Sequence, residues 1–362
     1  MLLALLFVAN AATAGPELAK LWSAPLPGQP LRSCAVNTDT VFQGVSRVVD
    51  KKERGAIVAV DRKTGAVRWQ RDLGGAGIQS APLVLGELVL HGAFHGEAQA
   101  LDVKTGAVRW RADTRDGGLH STPVIDGDAV WLGYLGGALK VELATGKELL
   151  RIPIAAGTSV LGVRDGRVFL HDMAANQVVA LDAKSGVRLW SLDGPVIDRE
   201  RHVSAGFQPE GAALDATTLY LPTNVAETWA VELGTGKKRW GYEPGPSGSF
   251  GTVLGLGGSA IFLTSSNQAD SVLVRVDSAS GAESWRQPMA GIVHALPVLV
   301  GERVAVPTGG GKLRVFGARD GEAVAEVQLG AAWWQACAAD GVVYVGHERK
   351  RLSAVRVAPQ GP

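Results

Sequence analysis

Ala59-Val60-Asp61-Arg62-Lys63-Thr64-Gly65-Ala66-Val67-Arg68-Trp69 decides the fold, because this stretch recurs along the chain at near-constant spacing. It returns through Ala100-Leu101-Asp102, Thr105-Gly106 and Trp110, and through Ala180-Leu181-Asp182, Ser185-Gly186 and Trp190. Further copies run through Ala230-Val231-Glu232, Thr235-Gly236 and Trp240, and through Val276-Asp277, Ser280-Gly281 and Trp285. Two copies are worn: Glu142, Thr145 and Gly146 lead to Leu150, and Gly317, Asp320 and Gly321 lead to Ala325. A last half-copy is Ala354-Val355-Arg356. The marker position falls at 61, 102, 142, 182, 232, 277, 317 and 356, in steps of 41, 40, 40, 50, 45, 40 and 39 residues. A period near 40 residues is what a four-stranded blade requires.

Between markers the same syntax repeats. Ser80-Ala81-Pro82 precedes an alternating run over Glu87 to His91, Ser121-Thr122-Pro123 one over Ala129 to Gly133, and Leu296-Pro297 one over Arg303 to Val306. Each blade is read as an inner strand at Ser-x-Pro, an alternating second strand, a third ending in Ala-Leu-Asp, and an outer strand carrying Trp. In the turn after the third strand, Asp and the Thr or Ser hydroxyl can satisfy backbone amides, and Gly supplies the positive φ. Trp22, Trp69, Trp110, Trp190, Trp240 and Trp285 share the outer-strand position, where a large ring can dock on the neighbouring blade.

The ring also closes in sequence terms. The last half-copy has no room for an outer strand, whereas Leu21-Trp22-Ser23-Ala24 is an outer strand with no motif before it. The N-terminal strand is therefore expected to complete the C-terminal blade and remove the sheet edge. The expected fold is all-β: one eight-bladed propeller over residues 15–362.

Composition agrees with this and narrows the function. The chain has 362 residues, 46% of them hydrophobic, and its 47 glycines suit many tight turns. A net charge of +1 excludes the basic footprint that nucleic-acid binding needs. Leu2 to Ala9 with Ala12-Thr13-Ala14 reads as an export signal over residues 1–14, although no basic residue precedes it. Position 15 is Gly rather than the cysteine of a lipoprotein. The expectation is a periplasmic or otherwise exported chain, soluble rather than lipid-anchored, monomeric outside a complex and without a membrane span.

The Ala-x-Asp-x-x-Thr-Gly-x-x-x-Trp repeat resembles that of pyrroloquinoline-quinone (PQQ)-type propellers. Eight copies in a short exported chain most resemble the BamB family of periplasmic propellers in the β-barrel assembly machinery. The resemblance implies a non-catalytic scaffold for protein partners, chiefly the outer-membrane barrel insertase. The connection from Trp190 to Glu232 holds about ten extra residues relative to the repeat. Its Ile197-Asp198-Arg199 is similar to an Ile-Asp-Arg-bearing connection that BamB proteins use near their partner surface. This makes Asp198 and Arg199, with the nearby Arg201, candidate partner contacts.

The alternative is a small-ligand or quinone-binding propeller related to the quinoprotein dehydrogenases. Those enzymes are much longer and carry an adjacent cysteine pair over the cofactor and a set of acidic and Asn calcium ligands. This chain has only Cys34 and Cys337, far apart. No enzyme and no cofactor are expected.

Residues just before the Ser-x-Pro position of each inner strand should converge at the channel mouth. They include Arg32, Gln79, His120, His294 and Trp334, a candidate polar and aromatic rim for a partner or small ligand; the bland alternative is a wet channel lined by polar groups. His91 and His95 lie four apart, but at a strand end and its turn, with no cluster to complete a metal site. Cys34 and Cys337 fall on inner strands of adjacent blades. Their one-residue offset points them to opposite faces, favouring two free thiols over a disulfide. Trp333-Trp334 is read as either an exposed patch or a strand pair with one ring in the core.

Overall fold

In a computed structural model, the structure describes residues 17–359 except 75–76, 79, 93–96, 115–116, 155–156, 196–205, 225–226, 246–248, 256–257 and 267–269. The expected export signal over 1–14, Gln79, His95, Asp198, Arg199 and Arg201 lie outside the described residues.

The described residues form eight antiparallel sheets, each a meander from an inner to an outer strand. Blade 2 shows the pattern: Leu83–Leu85, Leu88–Gly92, Ala98–Asp102 and Val108–Ala112. Blade 8 is built from Cys337–Ala339, Val342–His347 and Arg351–Val357, with the N-terminal strand Leu18–Pro25 as its outer strand. That pairing runs from Leu18 opposite Val357 to Pro25 opposite Arg351. It carries the same register shift just before Trp22 that precedes Trp69 and Trp110 in their own blades. The N-terminal strand is thus an outer strand in every local detail, and the expected closure is present.

The repeat motif does what its residue types allow. The Asp61 carboxylate accepts hydrogen bonds from the backbone N–H of Lys63 (3.0 Å) and Thr64 (2.8 Å) and from the Thr64 hydroxyl (2.8 Å). Asp102, Asp182 and Asp277 repeat the arrangement in their turns. Arg68 also pairs with Asp61 at 2.6 Å, and together these donors hold the Asp61 carboxyl well below the usual carboxylate range.

Each docking tryptophan covers the motif glycine of the following blade. A Cβ added at Gly106 would lie 2.6 Å from the Trp69 ring, and one at Gly236 2.6 Å from the Trp190 ring. Gly106 also has φ +69°. Glycine is required there twice over, by backbone conformation and by the ring above it. The Trp22, Trp69, Trp110 and Trp190 indoles donate to the carbonyls of Arg62, Val103, Leu143 and Leu233 at 2.8–3.0 Å. The Trp240 and Trp285 indole nitrogens are buried without such a partner among the described residues. Where the repeat is worn, Leu150 and Ile152 cover Gly186 instead.

The apolar core is divided accordingly. Eight clusters of buried residues appear among the described residues, and each draws on two adjacent blades. Phe42, Ile57 and Ala59 of blade 1 pack with Val89 and Leu101 of blade 2, for example. Val58 and Val60 of blade 1 pack with Tyr344 and Ala354 of blade 8, so the seam is an interface of the same kind. No described helix is long and apolar enough to cross a membrane.

Two expectations need correction. Ser-x-Pro does not lie in the inner strands: Leu83–Leu85 and Val124–Asp126 begin immediately after Pro82 and Pro123. A proline has no N–H to give a ladder, so pairing starts past it. Cys34 and Cys337 are not free thiols but a disulfide, with Cα atoms 5.4 Å apart. Cys34 precedes the strand Ala35–Val36, so strand alternation does not govern where it points.

Candidate functional site

Each blade is an antiparallel meander. The connections between blades therefore emerge at the same end of the ring as the turns joining second to third strands. At this end the channel opens into a cavity of about 600 Å³. Arg32, His120, His294 and Trp334 all line it, together with Ser80, Ser159, Glu210 and Trp333. Four of the five rim residues read from the sequence are thus brought together; the fifth, Gln79, is outside the described residues.

The Arg32 guanidinium lies over the Trp334 ring, 4.6 Å from its centroid. Arg32 has φ +60°. The buried Gln43 amide supports its loop, donating to the carbonyls of Leu31 (3.1 Å) and Gly44 (3.0 Å). The Ser33 hydroxyl reaches the Ala336 carbonyl at 3.4 Å, and Cys34 is bonded to Cys337. Two short segments, 32–34 and 334–337, are therefore fastened to each other at three successive points.

Glu210 was not legible beforehand. It sits in a 3₁₀ turn, Pro209–Gly211, just before the inner strand of blade 5, and its carboxylate meets Arg32 at 3.3 Å. Blades 1 and 5 are opposite in a ring of eight, so this ion pair spans the axis. Trp333 is 39% exposed and its ring lies 5.7 Å from that of His294. Residues 331–336 are not in a strand, so the reading of a strand pair with one ring in the core does not apply, and Trp333 is the exposed ring of the two. Burial holds His294 below the ordinary histidine pKa.

The same end carries a long hairpin in blade 1. Its strands Thr40–Val49 and Lys52–Asp61 have ten residues each, against five in the matching strands of blade 2. Asp50 and Lys51, both at positive φ, form its two-residue turn. Val48 beside them is 75% exposed. The connection from Asp193 to Phe207, which contains Asp198 and Arg199, starts and finishes at this end as well.

Elsewhere, His91 is fully buried in blade 2, and no described group hydrogen-bonds either ring nitrogen. No set of three or more His, Cys, Asp or Glu among the described residues is placed to hold a metal ion. The bonded cysteines are not on the cavity lining. The residues therefore do not match the adjacent-cysteine and calcium arrangement of the quinone enzymes, and no step through a quinone is derived.

A family model described as outer membrane protein assembly factor BamB matches residues 12–161, 140–252 and 174–359. The chain belongs to this family. Among solved structures it is similar to BamB from Moraxella catarrhalis, at 16% identity and a TM-score of 0.69 over 95% of this chain and 99% of that one. It is also similar to the computationally designed Ika8 protein, at 15% identity and TM-score 0.75 over 93% and 99%. A third likeness is quinohemoprotein alcohol dehydrogenase from Comamonas testosteroni, at 13% identity and TM-score 0.74 over 96% of this chain and 77% of that one. At these identities the likenesses show the propeller fold. No curated protein matches the chain.

Proposed function

We propose that this chain is a non-catalytic, exported scaffold that binds partner proteins in outer-membrane β-barrel assembly, with the barrel insertase as its principal partner. The observation that carries the reading is the match of the BamB assembly-factor model to nearly the whole chain. The shape of one end of the ring supports it. The long blade 1 hairpin and the cavity mouth are both at that end, and the blade 4–5 connection starts and finishes there, which gives a partner a projection and a recess.

On this reading Asp198, Arg199 and Arg201 contact the partner, while the six docking tryptophans keep the ring rigid. The test is binding of the purified chain to the periplasmic part of a barrel insertase, measured by calorimetry. Micromolar binding is expected, weakened about tenfold or more by Asp198→Ala with Arg199→Ala, as for central charged contacts. Unchanged affinity in the double variant would remove the assignment of these contacts.

A further inference from the structure

We propose that the axial cavity is a binding site for a carboxylate carried on an apolar body, and that Glu210 of this chain occupies its cation until such a ligand arrives. The inference is independent of whether the ring serves as an assembly scaffold.

Three features make Arg32 a receptor rather than a solvated surface charge. Its guanidinium is stacked on Trp334 at 4.6 Å, which leaves the planar edge of the fork free to meet a carboxylate. Its backbone is held at positive φ by a loop that Gln43 braces from the core. The Cys34–Cys337 bond, two residues past Arg32 and three past Trp334, ties together the segments that carry cation and ring. The stack is thus preorganised, and little ordering remains to be done on binding.

Glu210 shows what the site accepts. Its carboxylate comes from the opposite blade and meets Arg32 at 3.3 Å, yet its side chain is half exposed whereas that of Arg32 is one-fifth exposed. An exposed, single-contact pair of this kind is weak. It neutralises Arg32 and is readily exchanged for another carboxylate.

The remaining lining suits the rest of such a ligand. Trp333 and Leu296 offer apolar surface in a cavity of about 600 Å³, enough for a small molecule or the end of a peptide. The Ser80 hydroxyl also lines the cavity, is 2% exposed, and finds no hydrogen-bond partner among the described residues. A ligand's polar atom placed here would find a hydroxyl able to donate or accept a hydrogen bond.

The probes are 3-phenylpropionate, its uncharged amide, and a tripeptide with a free C-terminal carboxylate, titrated by calorimetry into the full chain. The wild type is expected to bind the carboxylates and not the amide. Glu210→Gln should bind about fivefold more tightly, since it releases the cation from a weak pair. Arg32→Met, which keeps the apolar stem on Trp334, should bind at least about tenfold more weakly. Tighter binding of the tripeptide would identify a peptide terminus as the source of the carboxylate, and tighter binding of phenylpropionate a free small molecule. Equal binding of the amide, unchanged affinity in Arg32→Met, or no binding of either carboxylate to Glu210→Gln at millimolar concentration would each overturn the proposal. The amide comparison and Glu210→Gln, a change at a half-exposed side chain, read the site without depending on how Arg32→Met folds.

Discussion

Cys34 and Cys337 are bonded to each other across the seam of the ring although 303 residues separate them in the chain. The bond links the inner edge of blade 1 to that of blade 8, while Leu18–Pro25 closes the outer edge of the same seam. A loop of this length removes much entropy from the unfolded chain, about 6 kcal/mol in the chain-entropy limit. The double variant Cys34→Ala/Cys337→Ala is expected to lose stability of that order under oxidising conditions. Urea denaturation checks this; a loss below about 1 kcal/mol would mean that the bond adds little to a seam already closed.

The seam has a second fastening in Arg62. Its guanidinium donates to the Tyr344 hydroxyl (2.7 Å) and to the carbonyls of Asn37, Thr38 and Ala339 (3.0–3.2 Å), and pairs with Asp340 at 2.8 Å. Asp340 is largely exposed, so the pairing with it contributes least. The other bonds need the fork geometry that only arginine has. Arg62→Lys should therefore destabilise the chain by about 2–4 kcal/mol, nearly as much as Arg62→Ala. A lysine variant as stable as the wild type in thermal melts would contradict this.

Gly106 and Gly127 separate the two demands placed on repeat glycines. Both have positive φ, but a Cβ meets the Trp69 ring at Gly106 and nothing within 4 Å at Gly127. Alanine at either site costs about 1–2 kcal/mol in backbone strain. Gly106→Ala should cost about 1–3 kcal/mol more, because the ring must move. Equal losses in the two variants, compared by chemical denaturation, would show that the tryptophan does not press on the glycine.

Acid should weaken the ring through its buried histidines. Burial pushes the His91 pKa down to about 3 and that of His171 to about 4, from about 6.5 in an unfolded chain. Between those values the unfolded chain binds protons that the folded chain does not. Stability from these groups is therefore complete above about pH 6.5 and falls as pH drops, by up to about 1.4 kcal/mol per unit for each histidine. His91→Gln, which copies the residue at the matching place in blade 1, should flatten that fall. An unchanged acid slope in its denaturation curves would exclude His91 as a source.

The blades were legible because the repeat is local. Asp61, Thr64 and Gly65 complete their turn within a few residues, and Trp69 docks at one fixed offset from the next copy. Trp22 stood without a motif before it, which made closure legible as well. The site was only half legible: Arg32, His120, His294 and Trp334 follow from aligning the blades, because equivalent positions converge on one axis. Glu210 does not, since its partner lies 178 residues away on the far side of the channel and its 3₁₀ turn breaks the blade pattern. The disulfide is not legible from strand alternation, because Cys34 precedes its strand and the period of two does not govern where its thiol points.

The most direct test of the central claim is the affinity of the chain for the periplasmic part of a barrel insertase, measured with purified proteins. The scaffold reading predicts micromolar binding that is weakened about tenfold or more when Asp198 and Arg199 are both alanine. No binding at concentrations up to about a hundred times higher would contradict it.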